Sequence, residues 1–265
     1  TLGDLFRADV FADLPRPRTR ILANFGVGYN HIDVAAARAA GLQVTNTPGA
    51  VTDATADIAL TLILMTARRA GEGERLLRAG AWTGWHPTQM LGTHVTGKTV
   101  GIIGMGRIGQ AIARRCHHGF GMRVMFHNRS PLSLDFPATQ SPLADVLQAD
   151  FVVLAVPADP QTHHLIDADA LTRMRPTAHL INIARGDVVD EQALIHALQT
   201  GQIAGAGLDV YEFEPKIPAA LMKLENVTLL PHLGTAALEV RQSMGQMAID
   251  NLIAHRDGIP LPSPV

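Results

Sequence analysis

Arg185, the acids Glu212 and Glu214, and His232 each stand just after a short apolar run in the second half of the chain. A guanidinium grips a carboxylate through two parallel hydrogen bonds. An imidazole changes charge near neutrality and can carry a proton, and a carboxylate beside it favours its protonated form. Together they are what reduction of a carbonyl needs: a proton donor near its oxygen and a cation on an adjoining carboxylate. Singly, each has a plainer reading. Arg185 could be a surface ion-pair residue, Glu214 a solvated loop acid, and His232 a histidine satisfied by a backbone carbonyl. Asp209 stands on the same stretch as the two glutamates and after the same strand.

What joins these residues is a glycine turn. Gly104-x-Gly106-x-x-Gly109 follows a run, Lys98 to Ile103, that reads as a buried strand, and it opens a helical pattern from Arg107 to His118. In that context the motif is a dinucleotide-binding turn. Gly104 permits the tight turn, Gly106 lets the backbone approach a pyrophosphate, and Gly109 lets the helix pack close to the strand. The first helical residues, Arg107 and Ile108, offer unpaired N–H groups to the phosphates. An NAD-specific turn carries an acid about 20 residues further on, at the ribose 2′-hydroxyl. Here that place holds Asn128, followed by Arg129 and Ser130. Arg129 can pair with a 2′-phosphate and Ser130 can hydrogen-bond it. The expected cofactor is therefore NADP(H), with NAD(H) as the alternative. Val156 and Pro157, after the third strand, leave a small apolar end where a nicotinamide or ribose could pass.

The elements that must position these groups alternate regularly. Strands read at 98–103, 122–127, 150–156, 178–183, 204–209 and 226–230, with helical patterns at 107–118, 142–149, 167–173 and 190–199. That alternation predicts a parallel, doubly wound α/β sheet, with ligands at the carboxyl ends of its strands. Thr1 to Arg20 is mixed and punctuated by Pro15 and Pro17. A short strand at 19–25 then ends in Gly26-Val27-Gly28. A helix at 33–40, a strand at 42–46 and a long helix at 53–69 follow. Gly71 to Gly97 reads as loop-rich and carries Trp82 and Trp85, and a last helix spans 236–255. The stretch from Leu132 to Ser141 looks short for its place, as a variable loop would.

Composition sets the outer bounds. The chain has 265 residues, of which 47% are hydrophobic, enough for one or two domains. A formal net charge of −2 shows no footprint for nucleic acid or a membrane surface. The longest apolar stretch, Ile58 to Met65, is too short to span a bilayer. A single cysteine, Cys116, rules out a disulfide framework within the chain and fits a reducing, cytoplasmic compartment. No metal site is expected.

The motifs resemble the D-isomer-specific 2-hydroxyacid dehydrogenase family. The resemblance is carried by the glycine turn, Asn182-Ile183-Ala184-Arg185-Gly186, Gly207-Leu208-Asp209-Val210 through Glu214-Pro215, and Pro231-His232-Leu233-Gly234. It runs from Asn24 to the last helix. Asn-Arg-Ser after the second strand and Trp-x-x-Trp before the glycine turn look most like glyoxylate/hydroxypyruvate reductases. The resemblance implies a Rossmann-type cofactor domain at 47–235 and a smaller, discontinuous, flavodoxin-like α/β substrate domain at 1–46 and 236–265. A cleft between them would close on the substrate. Arg185 would bind the substrate carboxylate, and His232 would donate the proton. Glu214, rather than Glu212, would hydrogen-bond His232. Val27 and Gly28 would hold the carboxylate's other side. Ile183 and Asp209 would contact the nicotinamide carboxamide, with Gly234 also at the cofactor. Trp85 would reach into a partner subunit's substrate site, so a homodimer is expected. Family members carry a further strand–helix segment before the equivalent of Thr1, so the substrate domain is expected to be N-terminally incomplete. Dinucleotide-sensing corepressors of the C-terminal-binding-protein type share such motifs, as do dehydrogenases for other 2-hydroxy acids.

Overall fold

The computed structural model of the chain describes residues 1, 3–12 and 17–265. Pro15, read as a break in the opening segment, lies outside them. The chain forms two compact units, 1–54 with 235–265, and 55–234.

The smaller unit opens with a short helix, α1 (Ala8–Ala12), where the sequence reads as irregular. Phe11 is buried there and stacks on Phe6. Strand β1 (Ile21–Ala23), helix α2 (Val34–Ala39) and strand β2 (Gln43–Thr45) follow. The strands pair in parallel, Leu22 opposite Val44. Asp33 caps α2 by accepting from Ala36 N–H at 2.9 Å, as its place before an Ala-rich run requires. Phe11, Leu22, Ile32, Ala37, Leu42 and Val44 form the core. The unit also takes in residues 47–54, which the sequence assigns to the cofactor domain. Asn46 N–H donates to Ser263 and Thr47 N–H donates to Gly26, tying that segment back.

The larger unit begins within the first turn of α3 (Thr52–Ala67). Helix α4 (Ala70–Arg78) comes next, inside the stretch read as loop-rich. Its two glycines hide the pattern, but ion pairs of Arg69 with Glu72 and of Arg78 with Glu74 support a helix at that spacing. Strand β3 (Thr99–Ile103) leads into α5 (Arg107–Arg114). Beyond Arg114 the expected helix widens into a π turn, Arg115–Gly119. Strands β4 (Arg123–His127) and β5 (Thr139–Gln140) come next. β5 is two exposed residues long, too short to leave an apolar signal. Then come α6 (Leu143–Val146), β6 (Phe151–Leu154), α7 (Ala168–Arg173), β7 (His179–Asn182), α8 (Glu191–Gln199), β8 (Gly205–Leu208), α9 (Ala219–Met222) and β9 (Val227–Leu229). Helix α10 (Leu238–Asp257) returns to the smaller unit.

The seven strands of the larger unit run parallel in the order β5-β4-β3-β6-β7-β8-β9. β3, β6, β7 and β8 are buried at every residue, as strands covered on both faces must be. Their side chains alternate between two cores. Phe151, Val153 and Ile181 pack with α3 and α5, whereas Val152, Leu154 and Leu180 pack with α7 and α8. The order reverses between β3 and β6, so their carboxyl ends flank the switch point. Among the described residues, no helix is long and apolar enough to cross a membrane.

Candidate active site

The glycine turn sits at that switch point. Gly104 N–H donates to His127 at the end of β4, and Ala155 N–H donates to Ile103 at the end of β3. Gly104 has φ +96°, and a Cβ there would lie 2.7 Å from Ala155 O. A Cβ on Gly109 would lie 2.1 Å from Gly104 O, so the helix could not approach the strand. Gly106 differs, because a Cβ there would meet nothing within 4 Å. Its lack of a side chain is not demanded by internal packing. It leaves open space over the N-terminus of α5, where Arg107 and Ile108 begin the helix. That combination fits a dinucleotide pyrophosphate. Val156 borders the turn, and Pro157 O accepts from the Thr162 hydroxyl at 2.8 Å.

The turn after β4 is braced from two sides. Asn128 Oδ1 accepts from Met105 N–H at 3.4 Å, and its amide donates to Ser130 O at 3.0 Å. Gln140, on β5, donates to the carbonyls of Asn128 and Ser130, each at 3.1 Å. The unforeseen short strand therefore holds the expected selectivity turn. Arg129 is exposed and lies 3.4 Å from Gln161 and 3.9 Å from Asp159. No carboxylate occupies the Asn128–Ser130 turn itself.

Arg185, Glu214 and His232 come together at the ends of β7, β8 and β9. Asn182 folds the turn after β7, accepting from Ala184 N–H at 3.0 Å and donating to Arg185 O at 2.9 Å. Gly186 lets the turn lie against the next loop, since a Cβ there would fall 1.8 Å from the Tyr211 carbonyl carbon. Ile183 is buried in this turn. Burial pushes the Arg185 guanidinium below its ordinary range, and the charges of Glu214 and Asp187 oppose that, so it stays cationic. His232 Nδ1–H donates to Glu214 Oε2 at 2.9 Å. Burial acts to raise the Glu214 carboxyl, but hydrogen bonds from His232 and Tyr211 N–H and the nearby charges of His232 and Arg185 outweigh it. Glu214 is held below the usual carboxylate range and remains ionised.

Asp209 fixes where His232 stands. Its buried oxygens accept from Leu233 N–H at 2.6 Å and Gly234 N–H at 2.8 Å, and its carbonyl accepts from His232 N–H at 3.0 Å. Burial raises the Asp209 carboxyl, opposed by those N–H groups. His232 thereby sits at φ +54°, a left-handed conformation that a non-glycine residue rarely adopts. The Thr55 hydroxyl closes the turn by donating to Gly234 O at 3.0 Å.

In the smaller unit, the carbonyls of Gly26, Val27 and Gly28 all accept from the side-chain amides of Asn24 or Asn46, at 2.9–3.0 Å. Among the described residues, nothing accepts from the N–H groups of Val27 and Gly28. Trp85 is 79% exposed. One group of metal-type donors is close among the described residues. The donor atoms of His163, His164 and Glu212 lie within 4.8 Å of one another. The two rings stack with centroids 4.0 Å apart, and His164 Nε2 is already hydrogen-bonded to Glu212.

The NAD-binding domain model of the D-isomer specific 2-hydroxyacid dehydrogenases matches residues 60–234. A glyoxylate reductase of Pyrococcus horikoshii is 50% identical over 265 residues, covering 97% of this chain and 78% of the relative. The chain belongs to the D-isomer specific 2-hydroxyacid dehydrogenase family. A crystal structure of a glyoxylate reductase from Paecilomyes thermophila superposes with a TM-score of 0.91 at 36% identity, covering 98% of this chain and 79% of that one. An NADPH-dependent glyoxylate/hydroxypyruvate reductase of Sinorhizobium meliloti, solved with NADP and malonate, has a TM-score of 0.88 at 42% identity, covering 93% of this chain and 77% of that one. This chain is thus an oxidoreductase with a nicotinamide-dinucleotide domain of Rossmann type, as its motifs imply.

Two features of this dehydrogenase's site escaped the sequence reading. One is the double grip of Asp209, for which the motif resemblance implies only a contact with the cofactor. The other is the pairing of Glu212 with His164, whose Nε2–H donates to Glu212 Oε1 at 3.0 Å. Only the adjacency of Asp209 to an apolar run, and the presence of two acids on one loop, hinted at either. The Asp209 grip generates a prediction. Asp209→Asn would set an amide donor against a backbone N–H and leave a buried group unpaired. The expected cost is about 1–3 kcal/mol. Thermal unfolding should record it, and amide exchange at Leu233 and Gly234 should quicken. Unchanged stability and exchange would contradict this role.

Proposed function

We propose that the chain reduces glyoxylate and hydroxypyruvate to D-2-hydroxy acids with NADPH. The observation that carries this reading is the His232–Glu214 pair at 2.9 Å, standing with a half-buried Arg185 at the strand ends beside the glycine turn. The names of the relatives in Pyrococcus and Sinorhizobium support the substrate class.

Arg185 binds the substrate carboxylate and draws charge from the adjoining carbonyl. The N–H groups of Val27 and Gly28 hold the carboxylate's other side. The bound cofactor supplies a hydride to the keto carbon. Nδ1 of His232 is engaged by Glu214, so Nε2 is the nitrogen that protonates the keto oxygen, and the same nitrogen takes the proton back during oxidation. Glu214, kept ionised, orients the ring and favours imidazolium. The open N-terminus of α5 at Gly106 takes the pyrophosphate. Asn128, Arg129 and Ser130 receive the ribose end, where Arg129 pairs with a 2′-phosphate and no acid of that turn repels one. Val156, Pro157, Ile183, Asp209 and Gly234 flank the nicotinamide. The protein works as a homodimer, with the partner subunit's Trp85 at the substrate site. Its compartment is the cytoplasm, which the lone buried Cys116 supports.

The test is oxidation of NADPH and NADH with glyoxylate, hydroxypyruvate, pyruvate and phenylpyruvate. Glyoxylate and hydroxypyruvate with NADPH should give the highest kcat/KM. A ratio favouring NADH, or phenylpyruvate over both, would reject the reading. The pH dependence has a definite sign. Reduction needs the protonated imidazole, so kcat/KM should be full at low pH and fall as rising pH removes that proton. Glu214→Gln removes the charge that favours imidazolium, so the fall should move to lower pH. An unshifted profile would exclude Glu214 from this role.

A further inference from the structure

Two histidine–glutamate pairs hang on one short loop. Glu214 meets His232, and two residues earlier Glu212 meets His164 at 3.0 Å. Their surroundings differ. The Glu212 side chain is 14% exposed, against 36% for Glu214. His164 comes from another part of the unit, the segment between β6 and α7. It is held there at φ +48°, with its own N–H donating to Asp187 O at 2.8 Å. A non-glycine residue in that conformation is strained, and such strain persists only where surrounding contacts over-determine it.

The loop from Tyr211 to Glu214 is fastened at several points. The Tyr211 hydroxyl donates to Leu230 O at 2.9 Å, after β9. Tyr211 N–H donates to Glu214 Oε1 at 3.0 Å, which orients the carboxylate itself. Gly186 lies flush behind Tyr211. Glu212 N–H reaches Glu191 Oε2 at 3.5 Å, at the start of α8. Among the described residues, His164 is the cation-capable group hydrogen-bonded to Glu212, with His163 next to it. His164 faces a site that otherwise holds Glu191, a buried acid whose carboxyl is raised by burial and by the Glu212 charge, only partly offset by that N–H. His163 stacks on the outer face of His164 at 4.0 Å and restrains its ring. Around the second pair, Glu214 faces His232, Arg185 and Asp209.

We propose that His164 and Glu212 are positioning residues, which hold the 211–214 loop in the place where Glu214 meets His232. The inference rests on the catalytic reading of Glu214 and His232 given above. Without the imidazole, Glu212 is left beside Glu191 as a second, mostly buried carboxylate. Repulsion and the desolvation of an unpaired charge both drive it toward water. Glu214 is two residues along the same backbone and must move with it. The His232 hydrogen bond is then lengthened or lost.

The experiment compares His164→Ala, His164→Gln, Glu212→Ala, Glu212→Gln and Glu214→Gln in the full chain. Three readouts are taken: the pH profile of kcat/KM for glyoxylate reduction, NADPH binding by fluorescence, and the NMR titration of His232 without cofactor. His164→Ala and Glu212→Ala should each lower kcat/KM by about tenfold or more, since a displaced catalytic group can cost on the order of 100-fold. Both should move the fall in rate, and the His232 titration, to lower pH, in the direction given by Glu214→Gln. NADPH binding should be unchanged. His164→Gln can still donate to Glu212, and Glu212→Gln can still accept from His164, so each should keep more activity than its alanine counterpart. If Glu214→Gln shifts both profiles while the alanine variants leave them at the wild-type position, the positioning role is overturned and the catalytic reading stands. If Glu212→Gln keeps no more activity than Glu212→Ala, the hydrogen bond to His164 does not hold the loop, and the proposal is again overturned. If Glu214→Gln shifts nothing, the catalytic reading itself fails and takes this one with it.

Discussion

Asp209 puts both oxygens of a buried carboxylate on the N–H groups of Leu233 and Gly234, and its carbonyl on the N–H of His232. The rest of the site depends on that grip. Hydrogen bonds to a charged group are worth about 1.5–3 kcal/mol each. A non-glycine residue in the left-handed region costs about 1–3 kcal/mol. Two such bonds and a third, neutral one are enough to hold His232 at φ +54°. Held there, the imidazole can meet Glu214, which is already oriented by Tyr211 N–H and kept ionised by its neighbours. A slacker turn after β9 would leave the same three side chains without a common geometry.

The sheet sets the stage for that turn. Its central strands are buried on both faces, so their polar loops can emerge only at the ends. The reversal of strand order at β3 and β6 opens the ends to the glycine turn. The consecutive strands β7, β8 and β9 then deliver Arg185, the 209–214 loop and His232 in spatial order. Proximity here follows from topology. Residues 47 positions apart in sequence, Arg185 and His232, face one carboxylate because their strands flank β8.

Much of this was legible in the sequence, for physical reasons. Fully buried strands are continuous apolar runs, so β3, β6, β7 and β8 were visible within a residue or two at each end, and so was the mostly buried β9. The three glycines of the turn were visible because each occupies a position where a side chain is sterically or functionally barred. What stayed hidden depended on contacts between distant segments. Nothing in Thr139–Gln140 marks a strand, because it is held by pairing with β4 and by hydrogen bonds of Gln140 to a distant turn, and both residues are exposed. The loop reading of 71–97 missed α4 because ion pairs, not an apolar face, stabilise it. The His164–Glu212 pair spans 48 positions and leaves no local pattern.

The central claim is that His232, held by Asp209 and Glu214, transfers the proton. The most direct test is His232→Ala, assayed for glyoxylate reduction by NADPH with dinucleotide binding measured in parallel. Loss of a positioned general acid costs on the order of 100- to 10,000-fold in kcat/KM, with NADPH affinity unchanged. Turnover within a fewfold of wild type in a folded, NADPH-binding variant would contradict the account.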